Sequence, residues 1–553
     1  MKKILLFLFL VIISASLYAQ KEDYIWLTGY SSNTIDSTFG GTQIDFNTEP
    51  PTVSYVFLGI EHFYLSDASI SDREGNLLFY SDGIKVAGNN HQILENGDNL
   101  GPNEFHQSWY DIGLPLPQGT MILPYPGQAD SLYFLFYSEM SNEQIGDSQF
   151  SVPNFLYSTI KTGTENNSIT VQEKNVVIIS DSLSYGKISG TRHANGRDWW
   201  ILIGEVLTNN YYTILITNNG IEEIFKQSIG SIPIFGTAYQ SIFSSNGTKY
   251  ARAGTFYFSE PGQIDIYDFD RCTGLLSNPL HIPIDTTEEG FVDGAFGGLA
   301  FSPDSELLYH SNYWKIVQYD MLASDIRASA DTIVNYDGFQ DPITGVPTNY
   351  GLAQLAPNGK IYVATTGNTR YMHIIHNPNE RGTACDVEQH GLQLATFNDW
   401  SVPNHPNYRL KALIGSPCDT LRPLAAFTFD SLSNTVFTDA SERTPTQWLW
   451  TFGDGNSSTE QNPNHTYMEN GTYEVCLIVS NEAGSDTTCQ QVTVVVTSTR
   501  DLANAKFKVF PNPTRGRVTV SLPNDKNRPW RLMNVLGQEV ERGVLVRWKR
   551  RWI

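Results

Sequence analysis

Ser302-Pro303-Asp304-Ser305-Glu306-Leu307-Leu308-Tyr309 and Ala356-Pro357-Asn358-Gly359-Lys360-Ile361-Tyr362-Val363 are two versions of one phrase. Proline presets one turn dihedral, and Asp, Asn and Gly tolerate the left-handed position. The aromatic and β-branched run that follows has the composition of a strand. The phrase recurs in looser form at residues 72–80, 127–134, 195–201 and 245–250. With Gly75, Asp130, Gly196, Gly247, Asp304 and Gly359 as markers, the intervals are 55, 66, 51, 57 and 55 residues. Each interval holds one four-stranded sheet with its loops, and radial repetition of such sheets gives a β-propeller. Over residues 20–415 the spacing predicts an all-β propeller of seven blades, with six or eight as alternatives.

Working outward, helical periodicity is nearly absent from all 553 residues. The formal net charge is −22. Residues 500–553 nevertheless carry 13 Lys and Arg against 4 Asp and Glu, so an acidic body precedes a basic tail. An acidic body argues against a nucleic-acid partner, because such binding needs a cationic footprint.

Lys2-Lys3, the apolar run 4–13 and the small residues ending at Ala19 have the form of a secretory signal peptide (residues 1–19), with cleavage expected between Ala19 and Gln20. No other segment approaches 18 apolar residues, so no transmembrane segment is expected in the mature protein. An exported chain can form disulfides. Of the five cysteines, Cys476 and Cys489 flank a turn-like stretch and are expected to bridge neighbouring hairpin strands; Cys385 with Cys418 is the second expected pair.

Trp448-Leu449-Trp450-Thr451-Phe452-Gly453-Asp454-Gly455, then Asn462-Pro463-Asn464-His465-Thr466-Tyr467, then Gly471-Thr472-Tyr473 closely resemble the PKD domain, over residues 423–497. The resemblance implies an immunoglobulin-like β-sandwich. Alternation agrees with it: Trp448, Trp450 and Phe452 share one strand face, and Gly453-Asp454-Gly455 makes a tight turn. Residues 507–553 resemble the C-terminal sorting domain of type IX secretion through Pro511-Asn512-Pro513-Thr514-Arg515-Gly516 and Leu536-Gly537-Gln538. That resemblance implies a small β-sandwich, type IX secretion machinery as partner, and an extracellular or outer-surface location in a Gram-negative bacterium. The ending departs from the family pattern and reads as truncated. The Ser-Pro-Asp and Ala-Pro-Asn-Gly turns resemble those of bacterial surface propellers, so the whole chain resembles a secreted β-propeller protein with PKD and sorting domains.

Catalytic signatures are sparse. No P-loop, dinucleotide fingerprint, zincin helix or nucleophile elbow occurs. His373 and His376 fall on opposite faces of a strand and make a poor metal pair. Asp265 points away from Asp268 and Asp270, and a glycosidase pair would have to come from different blades. Asp454 could coordinate calcium, the alternative being a turn hydrogen bond; no other cofactor is expected. Trp26, Trp109, Trp199, Trp200, Trp314 and Trp400 divide between core packing and one or two exposed stacking surfaces. Asp130-Ser131-Leu132, Asp181-Ser182-Leu183, Asp331-Thr332-Ile333, Asp419-Thr420-Leu421 and Asp430-Ser431-Leu432 resemble a bacterial O-glycosylation sequon. The expected function is binding or adhesion to an extracellular glycan or protein, without catalysis. The alternative is a polysaccharide-active enzyme with acidic residues converging in the central channel.

Overall fold

The computed structural model describes residues 20–545 except 31–38, 61, 144–150, 164–167, 233–239, 255–261, 285–296, 414–415, 419–420, 431–433, 444, 482–483, 495–507, 511–518, 522–527 and 534–538. The predicted signal residues through Ala19 and the sorting-motif residues Pro511, Asn512, Pro513, Gly516, Leu536 and Gly537 lie outside the described residues; Gln20 lies within them. The chain divides into two compact units, the first formed chiefly by residues 1–424 and the second chiefly by residues 425–553.

In the first unit, seven small antiparallel sheets follow one another along the described chain. Sheet 1 comprises Ile25–Gly29, Gly41–Asp45 and Thr52–Val56. The later sheets open with Ala68–Ser71, Thr120–Pro124, Ser189–Arg192, Ser241–Phe243, Gly297–Phe301 and Tyr350–Leu355, each paired on one side only. Apart from Ser241–Phe243, of which only Ser241 is buried, these opening strands are buried almost throughout, whereas the last strands of sheets 4, 5 and 6 are largely exposed. Small residues let the opening strands converge. A Cβ on Gly298 would lie 2.4 Å from the backbone nitrogen of Ala353 in the next sheet.

The quoted phrases are the turns after the opening strands. Gly247 and Gly359 hold φ of 72° and 79°, left-handed values that glycine adopts without strain. In the Ser-Pro-Asp version, Ser305 takes that position with φ 68°. Between turns, apolar side chains from adjoining sheets interleave. Trp199, Ile201 and Ile203 pack with Met121, Leu123 and Tyr408, for example.

The seventh sheet packs on the first. Thr42 and Thr396 hydroxyls are 2.9 Å apart, and the Thr396 hydroxyl donates to Gly40 O at 2.8 Å. Lys360 meets Glu49 at 3.1 Å. Beyond the last strand, Val387–Asn398, residues 401–409 run beside Ile25–Gly29. Ser401 meets Thr28 at 2.8 Å, and Arg409 meets Asp23 through a two-pronged ion pair, one arm of which is 2.8 Å.

The second unit contains a sheet of Phe427–Phe429, Asn434–Asp439 and Asn464–Thr466, and another of Ser457–Ser458, Gln447–Thr451, Gly471–Asn481 and Gly484–Val494. Trp450 and Phe452 are buried against Phe427 and Phe437, as their alternation predicts. Trp448 reaches only a half-buried rim, where its indole N–H donates to Asp439 at 2.7 Å. Tyr467 is buried and donates to Phe452 O at 3.1 Å, and Tyr473 stacks on it at 4.3 Å.

A disulfide joins Cys476 to Cys489, 13 residues apart. The expected Cys385–Cys418 pair is corrected. Cys418 is bonded to Cys272, 146 residues away, and Cys385 is a free, buried thiol. Tertiary packing explains the exchange: the Arg271 guanidinium donates to Lys411 O at 2.6 Å and draws the two segments together. Burial beside Tyr309 pushes the Cys385 thiol up to about 11.

Candidate functional site: an aromatic end and an amide-filled channel

Each opening strand leaves one edge of backbone N–H and C=O groups without a strand partner, and a buried edge of that kind must be satisfied. Side-chain amides do this. Gln118 accepts from Ser241 N at 2.8 Å and donates to Ser241 O at 2.9 Å. Gln240 accepts from Leu299 N at 3.1 Å and from Ala353 N at 2.8 Å, bridging two further sheets. Asn404 donates to Thr120 O and Ile188 O, each at 3.0 Å, and accepts from Gln118 at 3.1 Å. His405 meets Ser69 O at 2.9 Å, and the Tyr408 hydroxyl donates to Ile122 O at 2.8 Å. The chain's own residues 404–408 therefore lie against the free edges of the opening strands and satisfy part of them. A cavity of about 260 Å³ remains beside sheets 4–7, with Gln118, Gln354, His405 and Arg409 in its wall.

The two ends of these strands differ. The polar turns at 245–247, 303–305 and 357–359 follow the opening strands. Aromatic residues gather where those strands begin. Tyr30 bridges His62, and their rings stack at 4.0 Å. His62 lies 5.6 Å from Tyr64, which stacks on Trp109 at 6.0 Å. The hairpin residue Trp314, 38% exposed, contacts Tyr313 at 4.9 Å and Tyr336 at 5.9 Å. Tyr313 O accepts from Tyr350 N, the first residue of its opening strand, which places this second cluster at the same end. Trp26, Trp199 and Trp200 are core residues, while Trp109 and Trp400 are half-buried.

Asp399 anchors the first cluster. Burial pushes its carboxyl up to about 6, against the opposing effect of hydrogen bonds from Tyr30 and Trp400. Its Oδ2 lies 3.9 Å from His62 Nε2, and burial pushes the imidazole down to about 4. Neighbouring Trp400 holds φ 79°, a strained value for a bulky side chain and one concentrated at functional positions. Half-buried aromatic faces beside a hydrogen-bonding carboxylate suit a ligand with both apolar faces and hydroxyls. The sequence showed the tryptophans but not their company: residues 30, 62, 109 and 399 share no local pattern.

The other singled-out residues do not converge. Asp265 is buried, paired with Arg252 at 3.3 Å and His281 at 2.9 Å. Ser231 is 3.3 Å from the same ring nitrogen that meets Asp265, so these three are not a nucleophile triad, which needs both ring nitrogens. Asp268 pairs with Lys249, and Asp270 accepts from Cys272 N in a turn. His373 bonds Thr348 O, whereas His376 bonds Glu388. Asp454 is partly desolvated, which raises a carboxyl, yet hydrogen bonds from His465 at 2.7 Å and Asn456 at 3.0 Å hold it below the usual range. Both oxygens are thereby used, Oδ1 by the turn at Asn456 and Oδ2 by His465 of the strand Asn464–Thr466. Among the described residues, no three His, Cys, Asp or Glu side chains group as metal ligands, and no helix is long and apolar enough to cross a membrane.

Comparison with known proteins places a PKD domain at residues 425–496. Collagenase ColA of Bacillus cereus is 43% identical over 65 residues, which are 12% of this chain and 7% of that protein. The chain thus spans a small fraction of that curated relative. The PKD1 domain of the Vibrio cholerae metalloprotease PrtV is 32% identical, covering 13% of this chain and 98% of that one at TM-score 0.13. A Lactobacillus plantarum protein is 14% identical, covering 69% of this chain and 97% of that one at TM-score 0.38. An all-β first unit, a PKD domain and two disulfides are together the features of an extracellular protein.

Proposed function

We propose that this chain is an extracellular binding or adhesion protein whose first unit is a closed seven-bladed propeller that takes glycan or protein ligands at its aromatic end. The carrying observation is the contrast within that unit. Residues 404–408 occupy the channel with amide and hydroxyl groups, whereas Tyr64, Trp109, Trp314 and Trp400 offer partly exposed rings where the opening strands begin. The PKD domain serves as a spacer or a second contact. Export uses the N-terminal signal and the type IX tail, which implies a Gram-negative source.

The test is a glycan array with the secreted protein, followed by turnover assays on each hit. Retention on a glycan without product release, weakened at least about tenfold by Trp109→Ala or Trp314→Ala, supports the reading. Binding unaffected by either substitution sinks it. One observation favours a second reading: Asp399, held near 6 beside half-buried rings, has the environment of a carboxyl acting as a general acid in glycoside hydrolysis. Product release abolished by Asp399→Asn would establish that alternative.

A further inference from the structure

Asp67 and Asp82 are fully buried carboxylates just beyond the strand pair in which Ala68 faces Ser81. Continuing that register sets Asp67 opposite Asp82, at the separation where cross-strand side chains touch. Asp82 Oδ1 accepts from Ile84 N at 2.8 Å and Lys85 N at 2.7 Å, an arrangement that favours an ionised carboxylate. Among the described residues, three oxygens remain without a hydrogen-bond partner: both of Asp67 and Oδ2 of Asp82. Buried polar atoms left in this way normally mark water or an ion. A single shared proton serves two oxygens and leaves the third orphaned. A divalent cation serves all three and neutralises both charges, which buried carboxylates require.

We propose that Asp67 and Asp82 hold a divalent cation of the hard, oxygen-preferring class, calcium foremost. The set is all oxygen, which suits calcium and not zinc, and backbone oxygens and water complete such a shell. The site lies under the aromatic end: a Cβ on Gly113 would be 2.6 Å from His62 O and 3.3 Å from the Asp82 Cβ. A bound cation would brace the segment that carries His62. This inference does not rest on the ligand reading above.

The test is thermal and urea unfolding of the full chain in 10 mM calcium chloride against chelator, with Asp67→Asn and Asp82→Asn as near-isosteric variants. Extracellular calcium sites have Kd of about 0.1–1 mM, so wild-type protein should gain about a tenfold to hundredfold shift in its folding equilibrium. Either substitution should abolish that gain. Should one variant fail to fold, the other carries the comparison. Wild-type stability indifferent to calcium overturns the proposal. A calcium response that persists in a folded variant also overturns it, because the ion then binds elsewhere. Acid-dependent stability that vanishes in Asp67→Asn, with no calcium response in wild type, overturns it in favour of a shared proton.

Discussion

Replacing Asn404 tests whether the channel amides hold the first unit together. Asn404 is 5% exposed and makes three side-chain hydrogen bonds, to Thr120 O, Ile188 O and Gln118. In Asn404→Ala the Gln118 amide keeps its bond to Ser241 O, so two carbonyls facing the channel lose their donor. Each orphaned buried acceptor costs about 1–3 kcal/mol, and partial relaxation brings the expected loss to about 2–4 kcal/mol. Asn404→Asp is nearly isosteric, but at pH 7.5 it aims a carboxylate at two carbonyl oxygens, so it should be worse than alanine. Lowering the pH to 5 should recover part of that loss, since a protonated carboxyl donates once. The assay is urea unfolding followed by tryptophan fluorescence, reading the midpoint at constant slope. Because buried Trp450 reports the second unit, its transition serves as the internal control. An alanine variant within about 0.5 kcal/mol of wild type, or an aspartate variant more stable than alanine at pH 7.5, refutes the reasoning.

The remaining expectations concern the disulfides and the carboxyl at the aromatic end. Chain-entropy arguments give about 5 kcal/mol for a bridge closing 146 residues and about 3 kcal/mol for one closing 13. Serine at both Cys272 and Cys418 should therefore cost the first unit more unfolding free energy than serine at Cys476 and Cys489 costs the second, each read as midpoint shift times slope because the larger unit has the steeper slope, and the reverse order would contradict this. Asp399 binds its proton more tightly folded than unfolded, so its contribution is fully present below the unfolded value near 4 and is lost as pH rises through about 6. Asp399→Asn should gain on wild type between pH 4.5 and 7.5 in thermal melts; a gap constant across that window would exclude the assignment.

How much was legible beforehand follows the range of each interaction. The left-handed turn positions at Gly247 and Gly359, and the buried alternation of Trp450 and Phe452, depend on a few consecutive residues. Backbone sterics and strand periodicity write such features locally. The PKD domain was legible for the same reason, since the run from Trp448 to Gly455 is one strand and its turn.

Cysteine pairing shows the limit. Cys476 and Cys489 are neighbours through a hairpin that spacing reveals, whereas the partner of Cys418 was decided by where Arg271 captures Lys411. The aromatic end is likewise a tertiary product, since Tyr30, His62, Trp109 and Asp399 come from four separate connections. By itself the sequence determined the strands, the turns, their repeat and the second unit's core, because each is set by dihedral preference and side-chain alternation within one strand and its turn. Only the tertiary structure decided which side chains meet the free edges of the opening strands and which end carries the rings. His405 reaches Ser69 across 336 positions and Arg409 reaches Asp23 across 386, and at those separations residue order constrains nothing until the sheets have packed.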